Sequence, residues 1–390
     1  MSILILSEQL DYHGTAVEWG LKKMGETVDW WERSLFPGGQ SLSASISNTN
    51  DFRLSLSRLN HKSAYATECD FSIHPQSVSV NRDAYRTIWN RRGQVPRLSP
   101  SLEETDKVVA RMESNFLLKS LLSAIVDRNK GALVVNLPAV IDLVNPKLYQ
   151  LLIAKEIGFS IPKTIVSNDP DEIREFFGSV NGAMIAKQHL PFAWRLKSGA
   201  IAFPGTSRVF ADQLESDFSL SGSPLTYQEY IEIEHELRVI VFGRSIFAIS
   251  QKRGNPRVGD FCDVRWERLE GVHYDVNEQL SSMLFKYMEA MGLGYAAFDI
   301  AVTANDEFIF LESNECGQFL YLEELDPSIP VLDAFCKFLA SGDANFRYQY
   351  GNRIAILSEF DTGEEATTFY KEFRAYEKES SKLSPFELQE

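Results

Sequence analysis

Two carboxylates and one amide fall close together in the last third of the sequence. Asp299 lies in the apolar run Tyr295–Val302, while Glu312 and Asn314 follow the apolar run Phe308–Leu311. If the two runs pair as a β-hairpin through a two-residue loop, counting along both strands places Asp299 directly opposite Glu312. Asn314 then points to the same face as Glu312, because side chains alternate along a strand. The spacing therefore predicts a cluster of oxygen donors.

This acid pair calls for a positive charge, because directly opposed like charges destabilise an antiparallel pair. Hard divalent cations take oxygen ligands, and Mg²⁺ is commonly held by one or two carboxylates together with substrate phosphates. We therefore predict that Asp299, Glu312 and Asn314 are metal ligands. The alternative is a hairpin whose end protrudes into water and leaves both acids solvated. The predicted loop at Asn305-Asp306 is critical, since a one-residue change would move Asp299 away from Glu312.

Two lysines stand at positions from which a phosphate group could be held. Lys147 begins a helix that Asn145 and Pro146 introduce and that Gly158 ends. Lys187 is the only charge in the strand-like segment AMIAK, which it ends. The alternative for Lys187 is an ordinary strand-end lysine that extends its ammonium group into water.

The residues above must be positioned by a mixture of helices and strands. The segments SILILS and TAVEWGLKKMGETVDWW predict a strand, a helix and a second strand. Ser101 and Glu104 have capping-box spacing ahead of a long helix. Gly243-Arg244 is predicted to be a two-residue hairpin turn. The basic segment 189–208 contains Gly and Pro between strand signals, which is typical of a mobile hairpin or lid. A charged helix after residue 341 is either a docking helix or a solvated appendage.

Composition and charge exclude several classes of protein. With 390 residues, 44% of them hydrophobic and 24% charged, the sequence is that of a globular protein with two or three domains. A net charge of −15 opposes binding to nucleic acid or to an anionic membrane, although a local basic cleft could still bind ATP. No apolar stretch approaches the roughly 18 residues of a membrane span. Four separated cysteines fit reduced thiols, so we predict a cytoplasmic protein.

The order of these features resembles the ATP-grasp superfamily, most closely the microviridin-type ligases that mature graspetide peptides. The resemblance spans about residues 1–340. Its matching stretches are WNRR (Trp89–Arg92), NLP followed by NPKLYQLLIAKEIGFSIPKTIVSN (within Asn136–Asn168), YQEYIEIEHELRVIVFG (Tyr227–Gly243), DVR (Asp263–Arg265) and FDIAVTANDEFIFLESNECGQFLYLEE (Phe298–Glu324).

The resemblance implies an α/β (α+β) ATP-grasp fold. The expected parts are an N-terminal pre-ATP-grasp α/β domain (1–95), a connecting helical segment (96–143), a central lid-bearing domain (144–225), a C-terminal antiparallel-sheet lobe (226–340) and a C-terminal extension (341–390). It also implies ATP and two Mg²⁺ ions as cofactors, with Asp299, Glu312 and Asn314 as the metal ligands.

The resemblance further assigns roles around the nucleotide. Lys147 and Lys187 would contact its phosphates, and Glu236 would hold the ribose. The adenine would lie against the segment formed by Gln228, Glu229, Tyr230 and Ile231, with Glu229 and the Tyr230–Ile231 backbone reading its edge. Three arginines would face the phosphates or an acyl-phosphate, namely Arg238, Arg253 and Arg265. Without the resemblance, Glu236 and Arg238 could equally lie on the exposed face of an edge strand.

The implied function is an ATP-dependent ligase acting on a precursor peptide that has a leader and an acidic core containing Ser, Thr or Lys. It would activate Asp or Glu side chains as acyl-phosphates and form intramolecular esters or amides. Two alternatives are a ligase for a small amino acid or dipeptide and a non-catalytic ATP-binding protein. The stretch Asn314–Phe319 (NECGQF) departs from the family pattern Asn-Pro-x-Gly-Gln-Trp, which leaves the bound peptide open. The choice of ester or amide and the oligomeric state, a homodimer included, stay open too.

Overall fold

The computed structural model describes residues 1–49, 51–58, 77–92, 95–99, 101–189, 194–195, 201–202, 205–252 and 271–380, with backbone alone for 194–195, 201–202 and 377–380. Two predicted site residues, Arg253 and Arg265, lie outside the described residues. Most of the predicted lid segment 189–208 lies outside them as well.

The N-terminal part is built around a parallel sheet. Its strands are β1 (Ser2–Leu6), β2 (Val28–Trp30), β5 (Tyr85–Asn90) and β6 (Leu133–Val135), in the order β2-β1-β5-β6. The predicted strand, helix and strand at the start are confirmed as β1, α1 (Tyr12–Lys23) and β2. A separate antiparallel pair is formed by β3 (Gln40–Ser45) and β4 (Arg53–Arg58). β6 comes from the segment predicted to be helical and connecting, so that segment also completes this sheet.

The connecting helix α2 (Glu104–Arg128) exists, but its predicted start was wrong. Glu103 occupies the N-cap position and no side chain caps the helix, so Ser101 and Glu104 form no capping box. Glu104 instead pairs with Lys107 one turn later. The sequence has the spacing of a capping box, but the motif requires Ser101 at the N-cap, and the helix begins two residues later than that. A short helix, α3 (Pro138–Val144), follows β6.

The central part carries a second sheet with the order β11-β8-β12-β7, in which every pair is antiparallel. Its strands are β7 (Thr164–Ser167), β8 (Met184–Lys187), β11 (Ser207–Val209) and β12 (Leu225–Glu229). The helices of this part are α4 (Lys147–Ile157), α5 (Pro170–Ser179) and α6 (Asp217–Ser221). Within the predicted lid segment, β9 (Trp194–Arg195) and β10 (Ile201–Ala202) pair antiparallel, as expected for a hairpin.

The C-terminal lobe is a five-stranded antiparallel sheet with the order β15-β14-β13-β16-β17. Its strands are β13 (His235–Phe242), β14 (Ser245–Gln251), β15 (Gly271–His273), β16 (Tyr295–Val302) and β17 (Phe308–Asn314), and its helices are α7 (Glu278–Met291), α8 (Tyr321–Leu325) and α9 (Val331–Ser341). Phe242 pairs with Ser245, so the predicted two-residue turn at Gly243-Arg244 is confirmed.

Both faces of the C-terminal sheet are covered. On one face Leu237 and Val239 belong to a buried cluster with residues of α4 and α7. On the other, Ile240 and Phe242 belong to a cluster that includes α9 and the N-terminal strand β1. Arg238 shares this second face, because it alternates with Val239 along β13. The acid pair and its arginine thus face the side of the sheet on which the N-terminal part packs.

The C-terminal extension is a docked element over most of its described length. α10 (Leu357–Asp361) and α11 (Glu364–Ser380) pack on α1. Phe360 and Ala366 are fully buried, and the Tyr12 hydroxyl donates to Asp361 Oδ1 at 2.7 Å. The interpretation of this tail as a solvated appendage was therefore wrong, and the docking alternative is correct. Among the described residues, no helix combines the length and apolar character needed to cross a bilayer.

Candidate active site

The structure places Asp299 opposite Glu312, as the spacing predicts. The predicted two-residue loop is wrong, however, because Val302 pairs with Phe308 and the loop has five residues. Next to the loop, the two strands therefore pair one residue away from the predicted register. A β-bulge at Leu311 restores the predicted register before the strands reach the acids. The bulge adds one residue to β17, so the two carboxylates still meet across the strands.

Each member of the acid pair has its own cation. Glu312 forms an ion pair with Lys147, and Arg238 Nη1 donates to Asp299 Oδ1 at 2.8 Å. Burial raises the pKa of Asp299, and Arg238 offsets this only in part. Burial also opposes ionisation of Glu312, but Lys147 outweighs it, with help from Lys187, and lowers the Glu312 pKa. The sheet therefore holds one carboxylate whose pKa is lowered beside one whose pKa is raised.

The two lysines reach Glu312 from different elements. Lys147 is the first residue of α4, directly after Pro146, and Gly158 ends that helix in the left-handed conformation with φ of +109°. The predicted boundaries thus hold, except that Pro146 rather than Asn145 occupies the cap position. Lys187 ends β8 and pairs with Thr226 of β12. Its effect on the Glu312 pKa shows that it lies within electrostatic reach of the acid pair.

The donor set fits a magnesium ion. Asn314 ends β17, is exposed and pairs with Ala297, two residues before Asp299, so it shares the face of the acids. Its Oδ1 accepts a hydrogen bond from the Cys316 N–H at 3.1 Å, which orients the amide. Within the described ranges no group of three or more His, Cys, Asp or Glu side chains could hold a metal. Two carboxylates and one amide would suit Mg²⁺ completed by phosphate oxygens.

The segment predicted to read the adenine edge lies at the end of β12. Gln228 is buried and donates to Thr164 Oγ1 at 3.0 Å, which ties β12 to β7. The Glu229 N–H donates to Lys163 O at 2.9 Å, and the Tyr230 N–H donates to Ala183 O at 2.7 Å. Ile231 follows, half-buried and outside any strand. The Tyr230 N–H is thus engaged within the protein.

Glu236 lies at the start of β13, two residues before Arg238 and on the same face. It is 9% exposed, and its strand lies between β14 and β16. The alternative that Glu236 and Arg238 lie on the exposed face of an edge strand is therefore wrong. Glu236 lies close enough to Tyr321 for its negative charge to help raise the Tyr321 pKa, after the larger effect of burial.

No protein-family model matches this sequence, and no curated protein does. Solved structures do match. The macrocyclase MdnB from Microcystis aeruginosa is 29% identical with a TM-score of 0.67, and the match covers 87% of this chain and 98% of that chain. A Chryseobacterium gregarium RiPP-associated ATP-grasp ligase, in complex with ADP and a leader and core peptide, is 23% identical with a TM-score of 0.74. That match covers 90% of this chain and 99% of the ligase.

A third match is the ATP-grasp ligase PsnB complexed with a minimal precursor, Mg and ADP, at 18% identity and a TM-score of 0.64. It covers 87% of this chain and 97% of PsnB. The chain therefore has the fold of these ATP-grasp ligases. Its predicted ATP-grasp fold is confirmed over nearly nine-tenths of its length, and the acid pair lies in the C-terminal lobe of that fold.

Sequence patterns do not indicate how firmly the folded chain holds the segment Glu315–Leu320, which follows Asn314. Side chains from distant elements bind its peptide groups one after another. They are Asn136 to Glu315 O (3.0 Å), Arg91 to Cys316 O, Tyr295 to Gly317 O (2.8 Å), Arg238 to Gln318 O (3.0 Å), and His13 Nε2, which accepts from the Phe319 and Leu320 N–H groups (3.0 and 3.2 Å). The stretches WNRR and NLP were noticed for their resemblance alone, and here they supply Arg91 and Asn136.

His13 must be neutral to play this part. Burial, and after it the charge of the nearby Arg91, lower its pKa to about 3. A neutral imidazole can accept through Nε2, whereas the protonated ring has only donors. Arg91 itself is 2% exposed and lies 3.2 Å from Asp11 through its Nε. The N-terminal part therefore fixes the backbone directly downstream of the candidate metal ligand Asn314.

Proposed function

We propose that the chain is an ADP-forming ATP-grasp ligase that activates side-chain carboxylates of a precursor peptide and closes intramolecular esters or amides. One observation carries this proposal. The acid pair Asp299 and Glu312 lies between Lys147 and Arg238, with Lys187 in electrostatic reach. The two carboxylates suit Mg²⁺, and the cations around them suit the phosphates of ATP, because in each case the charges are opposite.

The chemistry needs ATP because a carboxylate does not acylate an alcohol or amine in water. A carboxylate oxygen of the peptide attacks the γ-phosphorus of ATP, and the bond to the β-phosphate oxygen breaks, which gives an acyl-phosphate and ADP. A hydroxyl or amine of the same peptide then attacks the carbonyl carbon, loses its proton, and inorganic phosphate leaves. The protein contributes positioning and neutralisation of developing charge.

Individual residues take roles in these steps. Lys147 and Lys187 hold phosphate oxygens. Asp299, Glu312 and Asn314 hold Mg²⁺, which supplies positive charge beside the phosphates. Arg238 orients Asp299 and faces the transferred group. Arg253 and Arg265 are proposed as further cations, and for them the resemblance is the support. The adenine edge lies against Gln228–Ile231, while the Tyr230 N–H keeps its hydrogen bond to Ala183 O and does not contact the adenine. Glu236 binds the ribose.

The partner proposed from the structural neighbours is a precursor peptide with a leader and a core, because the C. gregarium ligase was solved with a leader and core peptide and PsnB with a minimal precursor. The core is proposed to be acidic because the reaction activates side-chain carboxylates. Because ATP is an intracellular co-substrate, we retain the predicted cytoplasmic location. The described cysteines, Cys316 and Cys336, are both free thiols, which fits a reducing compartment.

The test is ADP release with Mg²⁺, ATP and the peptide encoded by a small reading frame beside the gene. Each ring closed should remove the mass of one water molecule from the peptide. Glu312→Gln should lower turnover by roughly 100-fold or more, since it removes a charge that acts on the transferred group. Glu307→Gln is the matched control, because Glu307 lies in the hairpin loop five residues earlier, is exposed, and accepts a hydrogen bond from Ser160 Oγ (2.6 Å) far from the acid pair's cations.

Three results would overturn parts of this proposal. Parent-like turnover by Glu312→Gln would refute the site assignment. ADP release with free amino acids or dipeptides, but no mass loss from the peptide, would favour the small-substrate ligase. The absence of any ADP release under these conditions would favour a non-catalytic ATP-binding protein.

A further inference from the structure

The N-terminal parallel sheet has a polar edge that the roles above leave unassigned. β1, β2, β5 and β6 run in the same direction, so their carboxyl ends meet at one edge. In open α/β sheets, ligands bind outside the carboxyl ends of the strands. Arg91 and Arg92 directly follow β5 at this edge, and Arg33 follows β2. This edge therefore concentrates cations at the end of the sheet where ligands are expected.

The three arginines lie close together. Arg33 Nη2 donates to Asn90 Oδ1 at 2.8 Å and to Arg92 O at 3.0 Å. One carboxylate, Asp11, faces the group, at 3.2 Å from Arg91 Nε. The other buried acid of this edge, Glu32, is bound by Arg97 at 2.8 Å and by Ser34 at 2.7 Å. In a chain with a net charge of −15, this local excess of positive charge points to an anionic ligand.

Two of these guanidinium groups have N–H groups still to be satisfied. Arg91 is 2% exposed, and its buried Nη2 has no hydrogen-bond partner within the part of the chain that the structure describes. Arg92 Nε is likewise buried and has no hydrogen-bond partner among the described residues. A buried donor without an acceptor is unfavourable, because it has given up its water without gaining a partner. An acceptor with two oxygens would match these donors, because guanidinium and carboxylate pair in a fork-to-fork geometry.

The arginine group adjoins the candidate active site. Arg91 binds Cys316 O, and Cys316 is two residues beyond Asn314, a distance of at most about 7 Å along an extended chain. The contacts run in order from Lys147 through Glu312, Asp299 and Arg238 to Gln318. Lys147, which would hold a nucleotide phosphate, thus begins this series of contacts, and Gln318, in the segment that Arg91 also binds, ends it.

We propose that Arg91 and Arg92 form the subsite for the peptide carboxylate that the enzyme activates. This inference rests on the proposed ligase function and extends it to the acceptor. In-line transfer requires the attacking carboxylate to approach the γ-phosphorus from the side opposite to ADP. We place the attacking carboxylate at the end of the contact series away from Lys147, where Arg91 and Arg92 offer cationic donors. The ligand class is a side-chain carboxylate, as in a peptide Glu or Asp.

Arg92 is the better residue to change, because Arg91 also binds the Cys316 backbone. The contacts of Arg92 to Leu6 O and from Arg33 use its backbone, so a substitution leaves them in place. Arg92→Gln removes the charge and keeps a similar side-chain length. Arg86→Gln is the matched control, since Arg86 lies at the opposite end of β5, where it pairs with Glu26.

The probe is N-acetyl-glutamate amide, and its neutral counterpart is N-acetyl-glutamine amide. Ligand-observed NMR titration of the full chain should detect binding of the glutamate probe and at least tenfold weaker binding of the glutamine probe. Arg92→Gln should weaken the glutamate probe at least tenfold, while Arg86→Gln should bind it as the parent does. With a peptide substrate, Arg92→Gln should raise the KM for peptide and leave the KM for ATP unchanged.

The titration is run with and without Mg²⁺ and a non-hydrolysable ATP analogue, so the two proposals can fail separately. Failure to bind the analogue would overturn the ligase function, while the titration without nucleotide still decides whether Arg92 binds carboxylate. Equal affinity of the parent for both probes, or parent-like binding by Arg92→Gln, would overturn the subsite.

Discussion

The two loops that flank β17 are held in place in different ways. The loop Thr303–Glu307 is closed by its own backbone, through Thr303 N–H to Glu307 O (3.2 Å) and Asp306 N–H to Thr303 O (2.9 Å). The segment Glu315–Leu320 is held by side chains from β13, β16 and the N-terminal part, including Asn136 directly after β6. The first loop thus depends on neighbours in sequence, and the second on residues far away in sequence.

This difference has a physical consequence for the site. The loop Thr303–Glu307 sets only the length of the turn, because the bulge at Leu311 corrects the register before Glu312. The segment Glu315–Leu320 holds Arg238, and Arg238 holds Asp299. We therefore expect changes in the second region to reach the chemistry and changes in the first to stay local.

The largest effect is expected at Gly317. A Cβ there would lie 2.6 Å from the Ala297 Cβ and 2.8 Å from Arg238 Nη2, closer than real Cβ atoms approach. Gly317→Ala should displace Arg238 from Asp299 and lower ADP release by roughly 100-fold, since misplacement of about 1 Å can have that effect. Gly131→Ala is the control, as its Cβ would meet no atom within 4 Å. Parent-like turnover by Gly317→Ala would show that the segment does not position Arg238.

The next largest effect is expected on stability at Asn136. Its side chain donates to Tyr295 O and Glu315 O and accepts from the Gly294 and Tyr295 N–H groups, at 2.8–3.1 Å. Asn136→Ala should lower the free energy of unfolding by about 2 kcal/mol or more, because it leaves buried backbone groups unsatisfied. Ser160→Ala, which removes an exposed bond to the other loop, should lower it by less than about 0.5 kcal/mol. Urea unfolding measures both, and equal losses would contradict the comparison.

The comparison also explains which features the sequence could reveal. The turn at Gly243-Arg244 and the helix stop at Gly158 were predicted correctly, because each depends on the conformational freedom of one glycine, with φ of +55° and +109°. The loop at Asn305-Asp306 was predicted too short, because a polar turn sequence fits several loop lengths. The opposition of Asp299 and Glu312 was nevertheless correct, since the bulge at Leu311 cancelled that error.

The anchoring of Glu315–Leu320 could not be predicted from the sequence. His13 and Asn136 reach it from positions about 180 to 300 residues away, and only the folded chain brings them together. The ATP-grasp resemblance marked WNRR and NLP as notable without giving them a role. The roles of the lysines, the adenine-binding segment and the metal ligands stay predictions until nucleotide binding is measured.

A smaller effect, with a defined pH dependence, is expected at His13. Its pKa is about 3 in the folded chain and 6.5 ordinarily, so the unfolded chain binds more protons between these values. Its contribution to stability is therefore present above pH 6.5 and is lost as the pH falls. From pH 6.5 to about pH 5 the loss should be about 1.5 kcal/mol.

His13→Gln keeps an acceptor for the Phe319 and Leu320 N–H groups but does not titrate. The difference in unfolding free energy between this variant and the parent should therefore change by about 1.5 kcal/mol between pH 6.5 and about pH 5. A pH-independent difference between His13→Gln and the parent would show that His13 does not titrate as inferred.

The smallest effect is expected at Asp306, in the locally closed loop. Asp306 has φ of +59°, a left-handed conformation that glycine adopts without a steric penalty. Asp306→Gly relieves that penalty but gives the unfolded chain more freedom, and the two effects nearly cancel. The free energy of unfolding should therefore change by no more than about 0.5 kcal/mol, and ADP release should match the parent. A tenfold fall in turnover without loss of stability would show that this loop acts on the acid pair despite the bulge, and the distinction between the two loops would fail.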